Sequence, residues 1–162
     1  MQIKLTKLQA YNVMLCYLEE IYEKEKSEYL GDILSNSEFW SDKITADRGS
    51  WSDWQKALRI TAIQDTKLRN NNKLTSSQAC KAMFNYIDNY VSHYDPKPDY
   101  LIKLLESLQL LTKKNNALWQ DWLRIANEVV KKEDPRVIFR VCFLIMKKLI
   151  EFQLFLIKVS TL

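Results

Sequence analysis

Gly31 and Gly49 are the only glycines in the 162-residue chain, which has three prolines and a single histidine, His93. Two isolated glycines cannot make a glycine-rich loop that cradles a phosphate. With one histidine, no Ser, His and Asp set can be assembled, and a zinc site would lack ligands of the usual type and spacing. His93 stands in Val91-Ser-His-Tyr-Asp-Pro at an expected helix end, where the helix dipole favours an imidazolium, and is read as structural. The three cysteines, Cys16, Cys80 and Cys142, are odd in number, far apart and free of any Cys-x-x-Cys spacing, so they read as reduced core residues. Neighbouring carboxylates such as Glu19 and Glu20 are common on solvated helices and need no acid–base role. The expectation is a protein with no catalytic residues, no cofactor and no metal, and therefore not an enzyme.

A long uncharged apolar run is also missing. Val137 to Leu162 is apolar on most sides, but Arg140, Lys147, Lys148, Glu151 and Lys158 interrupt it before about 18 residues, the length of a bilayer span, can accumulate. No membrane span is expected. The start, Met1-Gln-Ile-Lys-Leu-Thr, has no apolar stretch leading to a small-residue cleavage site, so signal-peptide export is not expected and a cytoplasmic location is. Nor does one sign of charge dominate: 24 basic residues face 20 acidic ones, for a net charge of +4. A nucleic-acid-binding domain concentrates positive charge on one face more strongly, and the basic stretch Lys56 to Lys73 makes this only a third choice.

What the chain does contain is a repeat. Leu5-Thr6-x-x-Gln9-Ala10-x-x-x-Met14-x-x-Tyr17 matches Leu74-Thr75-x-x-Gln78-Ala79-x-x-x-Met83-x-x-Tyr86 position for position at an offset of 69. Further on, Glu28-Tyr29-Leu30-Gly31-Asp32-Ile33-Leu34 aligns with Asp99-Tyr100-Leu101-Ile102-Lys103-Leu104-Leu105, and Trp51-Ser-Asp53-Trp54 with Trp119-Gln-Asp121-Trp122. Scarce glycine and proline, with abundant Lys, Leu, Glu and Gln, favour helix throughout. The expected fold is an all-α bundle of two tandem three-helix repeats, over 5–65 and 74–132, fused into one domain because units of roughly 65 residues are marginal alone. A C-terminal helix over 134–162 would pack on them, opening at Asp134-Pro135 where the missing proline N–H costs nothing.

Local signals place the helices. Thr6-x-x-Gln9 and Thr75-x-x-Gln78 have the form of capping boxes. Behind them Ala10, Val13, Met14, Tyr17, Leu18 and Ile21, and Ala79, Ala82, Met83, Tyr86, Ile87 and Tyr90, recur at three- and four-residue intervals and read as core. Second helices are expected near 27–34 and 98–111, and third helices from about Ser50 and Asn116, capped by those polar residues. Thr66 to Lys73 reads as the linker. Trp51 and Trp54, like Trp119 and Trp122, stand three apart on one helical face and are read as structural anchors. Asp53 and Asp121 are placed in the first turn, where a negative charge meets unpaired N–H groups.

The order helix, Tyr-Leu-Gly31-Asp32-Ile-Leu, an Asp-containing loop around Asp42 to Asp47, then Trp51-x-Asp53-Trp54 resembles a family of small helical bacterial immunity proteins from polymorphic toxin and contact-dependent growth inhibition systems. The resemblance covers residues 5 to about 60 and only part of the second unit, where Ile102 and Lys103 replace the Gly and Asp. It implies a protein that binds and neutralises one cognate toxin domain without turnover. The acidic stretch from Glu19 to Asp32 suits a cationic toxin surface, since complementary charge speeds encounter and guards specificity. Candidate contact residues are Glu19, Glu20, Glu23, Glu28 and Asp32, with Phe39, Trp40, Asp42 and Asp47 of the long first-repeat loop beside them; Trp40 would be an aromatic anchor. The alternative is a helical scaffold or adaptor that forms a homodimer through its apolar C-terminal helix.

Overall fold

The computed structural model describes residues 3–37, 48–65, 68, 73–111, 113 and 117–132. Both capping boxes are formed. Thr6 Oγ1 accepts from the Gln9 N–H at 3.1 Å while Gln9 Oε1 accepts from the Thr6 N–H at 2.8 Å; the Thr75 and Gln78 pair repeats this at 3.2 and 2.9 Å. Each cap satisfies two donors that a helix start leaves open. The element order strand, helix, helix, helix then occurs twice: β1 Lys4–Leu5, α1 Lys7–Glu25, α2 Glu28–Ser37 and α3 Arg48–Gln64, followed by β2 Leu74–Thr75, α4 Ser76–Val91, α5 Asp99–Leu111 and α6 Ala117–Lys132. The described chain is thus mostly helical.

The two strands, which two-residue patterns could not announce, pair antiparallel with Leu5 opposite Leu74 and Lys4 opposite Thr75. Leu5 and Leu74 are the same position of the two sequence units, so the starts of α1 and α4 are tied at equivalent points. Both leucines are fully buried.

The core follows the sequence stripes. Ala10, Val13, Met14, Tyr17 and Leu18 of α1 are buried, as are Ala79, Ala82, Met83, Tyr86 and Ile87 of α4. Ile21 and Tyr90, at the ends of those stripes, are half-buried. Leu30, Leu101 and Leu108 add the inner faces of α2 and α5, and each fully buried side chain of this size contributes about 1.5–3 kcal/mol. α3 lies against α4 along a seam that is partly polar. There Asn85 Nδ2 donates to Thr61 Oγ1 at 2.9 Å, Thr61 in turn donates to the Ala57 carbonyl at 2.8 Å, and Gln78 Nε2 donates to Asp65 Oδ2 at 3.0 Å. Paired in this way, the groups avoid the desolvation cost of unmet donors.

By its contacts the chain divides into two units, Met1–Asn127 and Glu128–Leu162. The first holds both strands and the helices from α1 to most of α6; the second is described only over 128–132, the end of α6. The helix expected over 134–162, with Cys142, lies outside the described residues. No helix among the described residues is long and apolar enough to cross a membrane.

Candidate functional site

The acidic stretch of the sequence folds into the second half of α1 and into α2. α1 ends at Lys26, whose φ of 50° and ψ of 35° are left-handed and whose N–H donates to the Tyr22 carbonyl at 2.7 Å. Such a residue turns the chain sharply out of the helix. The Gly31 N–H donates to the Ser27 carbonyl at 3.0 Å as α2 begins. A Cβ at Gly31 would stand 3.4 Å from Tyr22 Cε2, an ordinary van der Waals contact, so the Tyr22 ring packs beside α2 at this position.

Between the two helices lies a cleft of about 390 Å³. Leu15, Cys16, Gly31 and Leu34 supply its apolar lining, and Glu19, Tyr22, Glu23 and Ser35 its polar one. Glu19 and Glu23 are exposed, as are Glu28 and Asp32 on α2. Glu20 differs. It is half-buried and accepts from Arg124 Nη2 with both carboxylate oxygens, at 2.9 and 2.7 Å, which links α1 to α6. Glu23 is paired with Lys26, whose Nζ also stands 5.1 Å from the centre of the Tyr22 ring.

Beside this acidic surface, at Glu25 and Asp32, is a group of four half-buried tyrosines, in which Tyr90 of the α4 stripe joins Tyr94 and the aligned pair Tyr29 and Tyr100. Tyr29 and Tyr100, the matched residues of the two units, stack with centroids 6.2 Å apart and planes within 15°. Tyr94 meets Tyr29 edge-on at 5.8 Å, and its hydroxyl bonds that of Tyr90 at 2.8 Å. The Tyr100 hydroxyl donates to Glu25 at 2.7 Å. Burial, and then this bond to the Glu25 carboxylate, pushes Tyr100 up to about 12. Burial, the hydrogen bond with Tyr94 and the charge of Asp32 push Tyr90 up as well. The signal available in the sequence was the identity of Tyr29 and Tyr100 at equivalent positions, together with the four-residue spacing of Tyr90 and Tyr94.

Other candidates fall elsewhere. Phe39, Trp40, Asp42 and Asp47 lie outside the described residues. Trp54 and Trp122 are fully buried, whereas Trp51 and Trp119 are half-buried, Trp51 meeting Tyr11 edge-on at 5.2 Å. Neither motif aspartate is in a first turn: α3 starts at Arg48, ahead of the expected Ser50, and although α6 starts at Ala117, next to the expected Asn116, Asp121 lies in its second turn. Asp53 instead pairs with Lys56 at 2.7 Å and Asp121 approaches Arg124 at 3.9 Å, each one turn on. Ser50, expected as a cap, is likewise inside α3 and buried. Its hydroxyl bonds those of Tyr11 at 2.9 Å, Ser37 at 2.8 Å and Tyr86 at 2.8 Å. His93 is exposed in the turn after α4, with Nδ1 3.3 Å from the Tyr90 carbonyl. Among the described residues no three His, Cys, Asp or Glu side chains group as a metal site.

Comparison with models of protein families, with curated proteins and with solved structures gives no match.

Proposed function

We propose that the protein is a non-enzymatic, cytoplasmic immunity protein that binds a cationic toxin domain through the acidic surface of α1 and α2. Its fold would be a duplicated three-helix unit completed by a C-terminal helix over 134–162. The observation that carries this reading is the set of exposed carboxylates Glu19, Glu23, Glu28 and Asp32 on α1 and α2, together with the half-buried tyrosines 29, 90, 94 and 100, which meet that acidic surface at Glu25 and Asp32. Tyrosines supply large, rigid contact area at low entropic cost and are enriched where interfaces bind tightly. Surrounding carboxylates speed the approach of a basic partner and disfavour acidic ones. The resemblance of residues 5 to about 60 to immunity proteins points to a toxin as that partner.

Glu20 is better kept out of the contact set. Its carboxylate is engaged by Arg124, so reversing its charge would disturb α1 against α6 as well as any partner. The test is co-expression with a candidate toxin domain taken from a neighbouring gene, measuring cell survival and co-purification at a fixed ratio. Rescue with a stable complex, weakened by Glu23→Lys with Asp32→Lys, supports the proposal. No rescue and no complex would move the assignment to the scaffold alternative.

A further inference from the structure

We propose that the cleft between α1 and α2 receives one arginine side chain of a basic protein partner, an assignment that rests on the acidic face proposed above and names its central contact. Volume comes first: about 390 Å³ lies within the range of pockets that hold ligands, roughly 300–1,000 Å³. Its chemistry is divided in the way an arginine is. Leu15 and Leu34 offer an apolar wall to the methylene stem, while Glu19, Tyr22 and Glu23 offer two carboxylates and a ring to the head group. Glu19 and Glu23 are four residues apart, with Tyr22 between them on the same helical face. A planar guanidinium can stack on the ring and bond a carboxylate with two N–H groups at once, which the compact lysine ammonium cannot.

Two further observations point the same way. A cation already uses part of the set, because Lys26 of the same chain lies over the Tyr22 ring and pairs with Glu23. An incoming arginine would take Glu19 and exchange with Lys26 for Glu23. The second unit supplies an internal comparison, since at the positions of Glu19, Tyr22, Glu23 and Gly31 it has Asp88, Val91, Ser92 and Ile102. The ring, one carboxylate and the glycine beside the ring are all absent there, although that unit forms the same three helices. Packing of the unit therefore does not require them.

The test is a titration of the ¹⁵N-labelled full chain with Nα-acetyl-arginine methylamide, followed by two-dimensional NMR. Gly31 lines the cleft and is one of only two glycines, so its amide is readily assigned, and Gly49 is the control. A saturable shift of Gly31 at roughly millimolar concentration is expected. The lysine analogue should bind more weakly and the norleucine analogue should leave Gly31 unmoved. Glu19→Gln with Glu23→Gln should lower the arginine affinity about tenfold, the loss expected for charge-assisted bonds, with the rest of the spectrum unchanged. Absence of a saturable Gly31 shift overturns the assignment, as does an equal shift with norleucine or full binding by the double variant. Because the probe is an amino-acid derivative, failure here leaves the toxin co-purification result standing, and failure of that experiment leaves the cleft standing.

Discussion

Tyr17 of α1 meets Trp122 of α6 edge to face, with ring centroids 5.6 Å apart. The reciprocal contact joins Tyr86 of α4, the second unit's match for Tyr17, to Trp54 of α3 at 6.2 Å. Each unit thus places a tyrosine against the other's buried tryptophan. The indole N–H groups do the complementary task within their own units: Trp54 donates to the Lys7 carbonyl at 3.2 Å and Trp122 to the Ser76 carbonyl at 3.1 Å, in both cases the residue after the capping threonine.

This exchange predicts that the two units fold together. Trp54→Ala and Trp122→Ala should each cost about 3–5 kcal/mol, the range for removing a buried large aromatic, whereas Trp51→Ala and Trp119→Ala should cost clearly less. Urea titrations followed by circular dichroism would measure this. A fragment of residues 1–73 lacks Tyr86 and Trp122 and should not fold alone; a cooperative transition from that fragment would refute the exchange as a source of stability.

The buried hydroxyls of Tyr11, Ser37, Ser50 and Tyr86 form a second link between the units. Tyr86 bonds Ser50 at 2.8 Å and Ser37 at 3.2 Å. Tyr86→Phe keeps the ring but removes one hydroxyl from this buried group, which should cost about 1–3 kcal/mol because Ser50 and Ser37 each lose a partner out of water. Tyr94→Phe, at a half-buried position, is the comparison and should cost less. Equal losses would show that burial of the serine set does not set the energy.

Much of this architecture was legible because it rests on local rules. The capping boxes need four residues each, and the stripes of α1 and α4 need only helical spacing, so both could be read from sequence. The start of α3 could not, since Ser50 looks like a cap but its hydroxyl is claimed by Tyr11, Ser37 and Tyr86 from distant positions. The site was legible as charge and not as shape. Glu19, Glu23, Glu28 and Asp32 stand out in sequence, but the Arg124 partner of Glu20 is over a hundred residues away, and the stacking of Tyr29 on Tyr100 depends on how the two units meet.

Alkaline pH should unfold the protein earlier than its carboxylates and lysines alone would suggest. Burial, aided by Cys80 and the charges of Asp121 and Glu20, pushes Tyr17 up to about 12, and Tyr100 is raised to about the same value. In the unfolded chain both would ionise near 10, so between about pH 10 and 12 the unfolded state binds fewer protons than the folded one and stability falls as pH rises. Below pH 10 this contribution is fully present. Absorbance of tyrosinate and far-ultraviolet dichroism should therefore change together over that window, and Tyr17→Phe should flatten the dependence. Tyrosines that all titrate near pH 10 with the helices intact would contradict it.

The left-handed turn at Lys26 can be tested apart from its charge. A side chain in this conformation costs about 1–2 kcal/mol, and glycine avoids that cost at the expense of a more flexible unfolded chain. Lys26→Gly and Lys26→Ala both remove the ammonium from Glu23 and from the Tyr22 ring, so their difference isolates the backbone. Lys26→Gly should be more stable than Lys26→Ala by about 1 kcal/mol in urea titrations. If the turn holds Tyr22 beside Gly31 as described, both variants should also bind the arginine probe more tightly than the parent chain, and by a similar factor, since each frees Glu23. Equal stability of the two variants would mean that residue 26 is not left-handed, and a probe affinity unchanged in both would mean that Lys26 does not compete for the cleft.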